Sequence, residues 1–332
     1  MLKVPVVLPG REYNIIIEQH CLQHINDYVD PSREIVIITD DNIPKQYLNT
    51  IAPLLGDPFT LFVPQGESSK SMEMAQLLCE KMLKEGITRN ALILALGGGM
   101  VGDLAGFVAS IYMRGIDYIQ IPTTLLSQID SSVGGKVGVN ASIMKNAIGA
   151  FKQPQLVLID STTLQTLDQR QVNSGIAEMI KYGLIASKSL FKALLEDDIL
   201  PNIDNYIYEC VSIKRDVVIK DERDTGVRQI LNFGHTIGHA IEQASKYQLL
   251  HGEAVAIGMV IMAKNKSYYN DLIHLLAKYN LPTSYEYDKD EIYQYITTDK
   301  KATKTSLNII VVDEVGNGYI EPIEISQIKE KL

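Results

Sequence analysis

Cysteine is scarce in this sequence, which has only Cys21, Cys79 and Cys210 among its 332 residues. The three lie far apart and show no CxxC spacing, so neither a disulfide framework nor a thiolate zinc site is expected. A chain of this kind is typical of a reducing compartment, and the cytoplasm is the simplest expected location.

The sequence also has fewer basic residues than acidic ones. The chain has 31 lysines and arginines against 40 aspartates and glutamates, which gives a formal net charge of −9. A surface that binds nucleic acid needs clustered excess cations, so this balance argues against a nucleic acid partner. Any anionic ligand must be met by a local basic pocket.

Long apolar runs are missing as well. The longest, such as residues 254–263, fall well short of the ~20 residues that a membrane-spanning helix needs. The first residues, MLKVPVVLPG, show neither the charge pattern nor the cleavage site of a secretion signal. The sequence predicts an ordinary folded protein without a membrane partner, and its length predicts two domains.

The first half contains an alternation of short apolar strands and helical patterns. Strand-like runs lie at 34–39, 59–64, 91–96, 118–121 and 155–160. Runs that are apolar on both faces are typical of parallel strands in an α/β layer. A helical pattern extends from about 70 to 85, and Ser68 or Ser69 is its expected N-cap.

A glycine-rich turn follows one of these strands. Gly97, Gly99 and Gly102 satisfy the GxGxxG pattern, and Asp103 opens a helical stretch. Such glycines let backbone N–H groups approach a pyrophosphate at a helix N-terminus. The acidic residue expected after the next strand is missing, because Asp117 precedes that strand. The turn is therefore interpreted either as a nucleotide site or as a tight strand-to-helix connection.

Two further segments of this half suggest ligand contacts. Thr123 and Thr124 follow a strand end, where ligands bind in open α/β sheets. Residues 130–146 combine Lys136 and Lys145 with glycines and little that favours long regular structure. Because apolar residues flank them, we expect a loop wrapped around an anion rather than a solvated loop.

From about residue 168 onward the pattern becomes helical. The sequence therefore predicts a Rossmann-like α/β nucleotide-binding domain over 1–165, with a mostly parallel sheet. A mainly helical, all-α metal- and substrate-binding domain is expected over 166–332. Glu178 and Lys181, three apart on one helix, are either a surface ion pair or functional residues.

The stretch 228–251 carries the strongest sign of chemistry. At 3.6 residues per turn, Arg228, Asn232, His235 and His239 would share one helical face, and His251 follows closely. Three of the chain's six histidines are thus close together, which suggests a metal site. The acidic run DERD before this stretch is interpreted as a solvated turn.

Two histidines four residues apart also occur by chance, as His20 and His24 show. The motif is not the metalloprotease HExxH, because Thr236 stands where the glutamate would be. A third ligand is needed, and Glu178 is the acid whose surroundings suit it best. Two histidines and a carboxylate with one open position are typical of a catalytic zinc site.

Six segments form a distinctive ordered set. They are GGGMVGDLAGFVAS, YMRGIDYIQIPTTLLSQIDSSVGGKVGVN, KNAIGAF, SGIAEMIKYG, DERDTGVRQILNFGHTIGHAIE and HGEAVAIGM. In sequence and spacing this set resembles the 3-dehydroquinate synthase family over almost the whole chain. The resemblance implies a dehydroquinate synthase-like fold, with an α/β NAD-binding domain followed by a helical domain.

The resemblance also implies a reaction. It is that of a phosphorus–oxygen lyase of the shikimate pathway, which converts 3-deoxy-D-arabino-heptulosonate 7-phosphate to 3-dehydroquinate and phosphate. The implied steps are transient oxidation by NAD, phosphate elimination, re-reduction and intramolecular aldol closure. NAD and zinc are the implied cofactors, with cobalt as an alternative metal, and a cytoplasmic homodimer is the implied assembly.

Matching motif by motif, the resemblance assigns three groups of residues. The metal ligands would be Glu178, His235 and His251. The NAD site would include Asp40, Asn42, Glu67, Lys70, Gly98, Gly99, Gly102, Asp103, Thr123, Thr124, Lys136, Lys145, Thr163 and Thr166. The catalytic and substrate-binding group would be Asp130, Lys136, Lys145, Asn146, Lys181, Lys214, Arg228, Asn232 and His239, with Arg114 from a neighbouring subunit. Lys300 or Lys301 would join this group.

The chain departs from the family pattern at three places. Residues 140–145 replace the His-Pro-Leu-Gly sequence that commonly precedes the lysine, which bears on the conformation of the substrate loop. Ser174 stands where asparagine is common, and Asp224 stands where glutamate is common. These two changes would affect contacts around the site without removing a named ligand.

Three alternatives remain at the level of sequence. A sugar phosphate cyclase acting on a substrate without a carboxylate would not need Lys214 and Arg228. A metal-dependent polyol dehydrogenase would not need the phosphate pocket of Lys136, Lys145 and Asn146. A catalytically dead nucleotide or metal sensor would not need the complete set of site residues.

Overall fold

The computed structural model describes residues 1–142, 144–299 and 306–332. The chain divides into two compact units, Met1–Leu167 and Asp168–Leu332. The sequence placed the domain boundary after residue 165.

The first unit is built on a mostly parallel sheet, as expected. Its strands are β1 (Leu2–Leu8), β2 (Arg11–Ile17), β3 (Ile35–Asp40), β4 (Phe59–Val63), β5 (Leu92–Gly97), β6 (Asp117–Pro122), β7 (Lys136–Ala141), β8 (Met144–Phe151) and β9 (Leu156–Ile159). In the described residues, seven strands form the sheet in the order β1-β2-β9-β6-β5-β3-β4. Only β1 runs antiparallel to its neighbour in this sheet.

Apolar residues on both faces of the strands explain the layered core. In β3, Val36 and Ile38 belong to one apolar cluster, while Ile35 and Ile37 belong to another. Alternate strand residues point to opposite faces, so both faces of the sheet are covered. The helices of this unit are α1 (Lys45–Ile51), α2 (Met72–Glu85) and α3 (Gly99–Ile111).

The start of α2 differs from the expectation. Ser71 is the N-cap, and its side chain accepts a hydrogen bond from the backbone N–H of Met74. The expected caps, Ser68 and Ser69, lie instead in the short 3-10 turn Glu67–Ser69. This extra turn delays the helix and gives Lys70 a non-helical backbone.

Two hairpins were not expected. The pair β1–β2 forms one end of the sheet, and β7 pairs with β8 in the segment that the sequence assigned to a loop. Gly138 lies opposite Gly149, where an added Cβ would come within 2.6 Å and 2.4 Å of backbone oxygens. The glycines therefore permit close strand pairing here, rather than preventing regular structure.

Where the structure describes it, the second unit is helical apart from one hairpin. Its helices are α4 (Gln169–Ala186), α5 (Lys188–Glu196), α6 (Ile203–Lys220), α7 (His235–Ala244), α8 (His251–Ala263), α9 (Tyr269–Lys278), α10 (Lys289–Asp299) and α11 (Ile328–Lys331). The hairpin consists of β10 (Ser306–Glu314) and β11 (Asn317–Glu324). It packs against α7 through residues such as Leu307 and Ile309, so the unit is not purely α. No helix in the described ranges is both long and apolar enough to cross a membrane.

The stretch expected as one helix from Arg228 to His239 is broken. Val227–Asn232 is a 3-10 helix, and α7 begins only at His235. Gly234 between them has a φ of 76°, a left-handed conformation that favours glycine. Arg228 and Asn232 therefore do not share a continuous helical face with the histidines.

The beginning of α7 lies against the middle of α8 without intervening side chains. A Cβ added to Gly258 would lie 2.0 Å from the carbonyl oxygen of Gly234. A Cβ at Gly238 would lie 2.9 Å from the carbonyl oxygen of Ala254. Because His235 directly follows Gly234, this backbone contact fixes where that histidine stands.

Replacing Gly258 by alanine should destabilise the fold by about 3 kcal/mol, because overpacking a rigid contact costs ~1–3 kcal/mol or more. The new methyl would meet a backbone oxygen, which cannot turn aside as a flexible side chain would. Urea unfolding measures the change. The control is Lys192→Ala, which removes an exposed ion pair with Glu196 and should cost less than about 1 kcal/mol. Equal stability of the two variants would contradict a rigid contact.

Candidate metal and nucleotide sites

Helix α4 carries a buried ion pair at its centre. The side chains of Glu178 and Lys181 are 0% and 1% exposed, and Nζ of Lys181 contacts Oε2 of Glu178. The residues of α4 from Val172 to Ile185 are all buried, so this pair is held within the packed interior of the unit. Glu178 and Lys181 are therefore not a surface ion pair, which was one of the two interpretations of their spacing in the sequence.

Two histidines converge on the other oxygen of the same carboxylate. Oε1 of Glu178 lies 3.4 Å from Nε2 of His235 and 3.4 Å from Nε2 of His251. This oxygen is buried and accepts no hydrogen bond within the described residues. One carboxylate oxygen from α4 and one imidazole nitrogen each from α7 and α8 thus lie close together, and all three are atoms that can bind a metal.

His239 stands beside this cluster. One ring nitrogen from each of His235, His239 and His251 lies within 4.8 Å of the other two. The three ring centroids are 5.2 to 5.6 Å apart. His239 is the most exposed of the three, which is consistent with a side chain facing a ligand.

In His235 and His251, the second ring nitrogen has a partner of its own. Nδ1 of His235 lies 3.0 Å from the carbonyl oxygen of Phe233, to which it can donate. Nδ1 of His251 lies 3.3 Å from Oε2 of Glu242. Both rings are therefore oriented with Nε2 toward Glu178, as metal-binding histidines are when an outer partner holds Nδ1.

The cluster is electrostatically asymmetric. Burial would raise the pKa of Glu178, but Lys181 and the two histidines outweigh burial and hold that pKa well below its usual range. Burial lowers the pKa of His235 to about 4, which keeps this ring neutral. Burial also opposes charge on His251, but Glu178 and Glu242 prevail and raise its pKa to about 10. The two pKa values differ because His251 is hydrogen-bonded to Glu178 and also contacts Glu242, whereas the charges of Lys181 and His251 lower the pKa of His235 further.

The donor set fits a divalent metal. An ionised carboxylate and two imidazole Nε2 atoms are ligands that zinc accepts, and three protein ligands leave a position for a substrate. The buried oxygen of Glu178 without a hydrogen bond in the described residues is the observation that a metal would explain. The same chemistry suits cobalt, since imidazole and carboxylate ligands serve both ions.

Contacts from α4 also fix the backbone at His251. Oγ of Ser174 accepts a hydrogen bond from the N–H of Gly252 at 3.0 Å. A Cβ at Gly252 would lie 2.0 Å from the carbonyl oxygen of Ser174, so the two helices touch through their backbones. The small serine, which departs from the common asparagine, therefore lies at the contact between the helices that carry Glu178 and His251.

A second contact caps α8. Glu253 accepts from the backbone N–H of Leu250 at 2.8 Å, and both of its oxygens also bind Arg170. This capping interaction fixes the first turn of α8, of which His251 is the first residue.

The remaining candidates of this unit are buried cations and an amide. Lys214 on α6 is 6% exposed, and Arg228 is 4% exposed. Arg228 donates from its backbone to Asp221 and from its guanidinium to the carbonyl oxygen of Glu222. Asp221 also accepts from the N–H groups of Thr225 and Gly226. The DERD run is therefore an ordered loop around Arg228 rather than a simple solvated turn.

In the first unit, the candidate NAD residues line the carboxyl edge of the sheet. Asp40 ends β3, the turn containing Gly98 and Gly99 follows β5, and Thr123 follows β6. The N–H of Thr123 donates to the carbonyl oxygen of Gly97, which joins two of these ends. The strands β3 and β5 are neighbours although β4 separates them in the chain, so the edge includes a topological switch point.

The glycines of this turn also serve protein packing. A Cβ at Gly102 would lie 2.6 Å from Oε1 of Gln120, and one at Gly99 would lie 2.9 Å from Oγ of Ser131. These contacts support the interpretation of the turn as a tight strand-to-helix connection, and a nucleotide site at the start of α3 stays a prediction. Asp103 lies in the second turn of α3 rather than at its first residue.

Lys70 is the centre of a polar cluster near this edge. Its ammonium lies 2.6 Å from Oδ2 of Asp103, 2.5 Å from Oδ1 of Asn146 and 3.7 Å from Oε1 of Glu67. Burial would lower the pKa of Lys70, but Asp103 and Glu67 outweigh it and raise that pKa. Asn140 joins through hydrogen bonds to Glu67 and to the N–H of Asn146. The atypical segment that begins at residue 140 therefore contributes to this cluster.

Other candidates of the first unit occupy separate positions. The side chain of Thr124 is hydrogen-bonded to Ser127, that of Thr163 to the buried Gln128, and that of Thr166 to Tyr47. Asn42 donates its N–H to Asp40. Arg114 ends the short 3-10 helix Tyr112–Arg114, and Asp130 lies in the π-helical turn Ser127–Ser131. Lys136 and Lys145 lie on the hairpin β7–β8. Lys300 and Lys301 lie outside the described residues.

The sequence reasoning missed Glu242 and Gln128. Glu242 follows His235 by seven residues on the same helix, a spacing that places both on one face and could have revealed it. Gln128 binds the carbonyl oxygens of Pro122 and Asp160, so it ties together the ends of β6 and β9. No local pattern indicates that role, because it depends on the pairing of distant strands.

Two family models match adjoining parts of the chain. That of the 3-dehydroquinate synthase N-terminal domain matches residues 60–174, and that of the C-terminal domain matches residues 175–302. The 3-dehydroquinate synthase of Streptococcus gordonii is 42% identical over 353 residues, which cover 100% of this chain and 99% of that protein.

Solved structures of two sugar cyclases are also similar. A 2-deoxy-scyllo-inosose synthase complexed with carbaglucose-6-phosphate, NAD⁺ and Co²⁺ is 27% identical, with a TM-score of 0.88 and coverage of 99% of this chain and 98% of that one. The 2-epi-5-epi-valiolone synthase of Streptomyces hygroscopicus, with NAD⁺ and Zn²⁺ bound, is 25% identical. Its TM-score is 0.87, with coverage of 98% of this chain and 97% of that one.

In metal-free protein, Glu178→Ala should destabilise the fold by roughly 3–5 kcal/mol, because it leaves the ammonium of Lys181 buried without its carboxylate. The double variant Glu178→Ala with Lys181→Met should regain most of this loss. Urea unfolding in the presence of a chelator measures both. Lys266→Ala, which breaks an exposed pair with Asp313, serves as the control and should cost about 1 kcal/mol or less. A double variant no more stable than Glu178→Ala would contradict this account.

Proposed function

The chain belongs to the 3-dehydroquinate synthase family, and from this premise we propose that it converts 3-deoxy-D-arabino-heptulosonate 7-phosphate to 3-dehydroquinate and phosphate. The observation that carries the proposal is the convergence of His235 and His251 on one oxygen of the buried Glu178. A nucleotide or metal sensor would not need the complete set of site residues, whereas such a centre suits chemistry at a substrate hydroxyl.

Glu178, His235 and His251 hold zinc or cobalt in this proposal, and the carboxyl edge of the first unit holds NAD. When bound, the metal acidifies a substrate hydroxyl, and NAD accepts a hydride that is later returned. The start of α3 offers backbone N–H groups to the pyrophosphate. The charged Lys70, held by Asp103 and Asn146, organises the loop beside this helix.

The cations of the chain provide for an anionic substrate. Lys181, Lys214 and Arg228 are buried in the second unit, where they suit a carboxylate and oxygens of the sugar. Lys136, Lys145 and Asn146 of the first unit are assigned to the phosphate. In a chain of net charge −9, such local concentration of cations is what attracts a sugar phosphate.

The remaining catalytic roles concern orientation and proton movement. His239, exposed beside His235, is placed to hydrogen-bond a ligand or move a proton at its ring nitrogen. Asn232 and Asp130 are assigned to substrate hydroxyls. We further propose a cytoplasmic homodimer in which Arg114 reaches the site of the neighbouring subunit.

The other candidate reactions differ in their products. A sugar phosphate cyclase acting on a substrate without a carboxylate would not need Lys214 and Arg228 for substrate binding. A polyol dehydrogenase accumulates NADH, whereas the proposed reaction uses no NAD overall. Measuring both phosphate and NADH therefore separates the alternatives.

The decisive experiment uses purified protein stripped of metal by a chelator. Zinc and NAD are added separately and together with 3-deoxy-D-arabino-heptulosonate 7-phosphate, and phosphate and NADH absorbance are followed. Phosphate release that needs both additions, with no accumulation of NADH, is the expected result. NADH accumulation with a polyol, or absence of phosphate release, would refute the proposed reaction.

His235→Ala should abolish turnover and remove bound zinc, because it deletes one of three ligands. The protein is dialysed to remove unbound zinc, and the zinc that remains bound is measured by elemental analysis. Phosphate release is measured in parallel. His274→Ala, an exposed histidine on α9, is the control and should retain zinc and activity. Full zinc content in His235→Ala would remove this residue from the ligand set.

Lys136→Ala should raise KM for the sugar phosphate at least tenfold while NAD and zinc binding stay near wild type. The reason is loss of a charge-assisted contact with the phosphate, which is worth about 1.5–3 kcal/mol. Steady-state kinetics and separate titrations of NAD and zinc test this. Lys84→Ala, an exposed lysine on α2, should change nothing. An unchanged KM for Lys136→Ala would count against the phosphate assignment.

A further inference from the structure

We propose that the carboxylate of Glu242 is a positioning residue that turns the His251 ring so that Nε2 binds the metal. The inference rests on the proposed function and adds a residue outside the assigned ligands. Oε2 of Glu242 lies 3.3 Å from Nδ1 of His251, while Nε2 of the same ring lies 3.4 Å from Glu178. The ring is thus held between two carboxylates, one on each nitrogen.

The sequence places Glu242 where it can reach this ring. Glu242 lies two turns after His235 on α7, so both project from the same face of the helix. The close backbone contact of α7 with α8 brings that face against the start of α8, where His251 lies. The side chain of Glu242 is 13% exposed, which shields its contact with the histidine from solvent.

The ring of His251 needs such a partner more than the ring of His235 does. The side chain of His251 is 28% exposed, against 11% for His235, so packing restricts its rotation less. Ser174 and Glu253 fix the backbone on either side of His251, but their contacts leave the ring free to turn. Glu242 is the contact that distinguishes Nδ1 from Nε2.

The two histidines therefore use different outer partners. A neutral backbone carbonyl, that of Phe233, holds Nδ1 of His235, whereas an anion holds Nδ1 of His251. A carboxylate partner both fixes the tautomer and makes the imidazole a stronger donor to a metal. Glu242 thus acts on the strength of the ligand as well as on its direction.

The test measures zinc affinity directly, by competition with a chromophoric chelator, in metal-stripped full-length protein. Glu242→Ala should weaken zinc binding about 10- to 100-fold, the usual effect of removing such an outer partner. Glu242→Gln, which keeps the shape and loses the charge, should give an intermediate loss. Gln243→Ala, at the exposed neighbouring position of α7, is the matched control and should bind zinc as wild type does.

Two further readouts separate positioning from a general structural role. The visible spectrum of the protein loaded with Co²⁺ alone should change in Glu242→Ala, because the ligand geometry changes. Glu242→Ala should lower the melting temperature of the metal-free protein somewhat, because His251 loses its contact with a carboxylate, so zinc affinity and spectra are compared at a temperature at which every variant is fully folded. A spectrum like that of wild type, or a loss of metal-free stability that accounts for the weaker binding, would overturn the inference.

The outcomes distinguish this inference from the proposed function. If wild type releases phosphate with zinc and NAD, and Glu242→Ala binds zinc with wild-type affinity, only the role of Glu242 is overturned. If Glu242→Ala does not fold, wild-type affinity in Glu242→Gln has the same consequence. A wild-type protein that binds no zinc would overturn the proposed function and this inference together.

Discussion

A negative charge buried away from water is the constraint on which the second unit depends. Removing an ion from water costs several kcal/mol even in a relaxed protein, so Glu178 needs compensation from every side. Lys181 supplies it within α4, and the starts of α7 and α8 supply the imidazoles. The packing of three helices is therefore inseparable from the charge state of one carboxylate.

Glycine makes that packing possible. Gly234, Gly252 and Gly258 each lie against backbone where a methyl group would overlap with a neighbouring atom. Side chains of ordinary size at these places would move the two histidines apart, because each begins its helix at the contact. The distance between ligands is thus set by main chain, which is stiffer than side chains.

Much of this could be predicted from the sequence, for reasons that differ between elements. Short β-branched runs such as that of β3 indicate buried parallel strands directly, because both faces of such a strand are apolar. The break before His235 was missed, since a helical spacing in the sequence does not reveal the left-handed conformation of Gly234. The hairpin β7–β8 was missed because glycine was taken as a sign of irregularity, although here it permits pairing.

The candidate metal ligands could be predicted from the sequence, but the contacts of the residues that orient them could not. The closeness of His235 and His251 in the sequence, the apolar surroundings of Glu178 and the family resemblance made these three residues candidates. The structure places their side chains within contact distance. The residues that orient them, Ser174 and Glu242, lie within the motif segments, but the sequence does not show that they contact the neighbouring helix or ring. Their relevance depends on which helix faces which, and that is decided by packing between segments distant in the chain.

Both histidines of the centre are the first residues of helices, and this has an electrostatic consequence. The peptide dipoles of a helix add up to roughly half a positive charge at its N-terminus. Two such ends, those of α7 and α8, begin at the centre formed by Glu178, His235 and His251. The main chain therefore gives this interior a positive potential that no count of side chains would reveal. In a protein of net charge −9, that potential opposes the overall field and favours a negative charge at this centre.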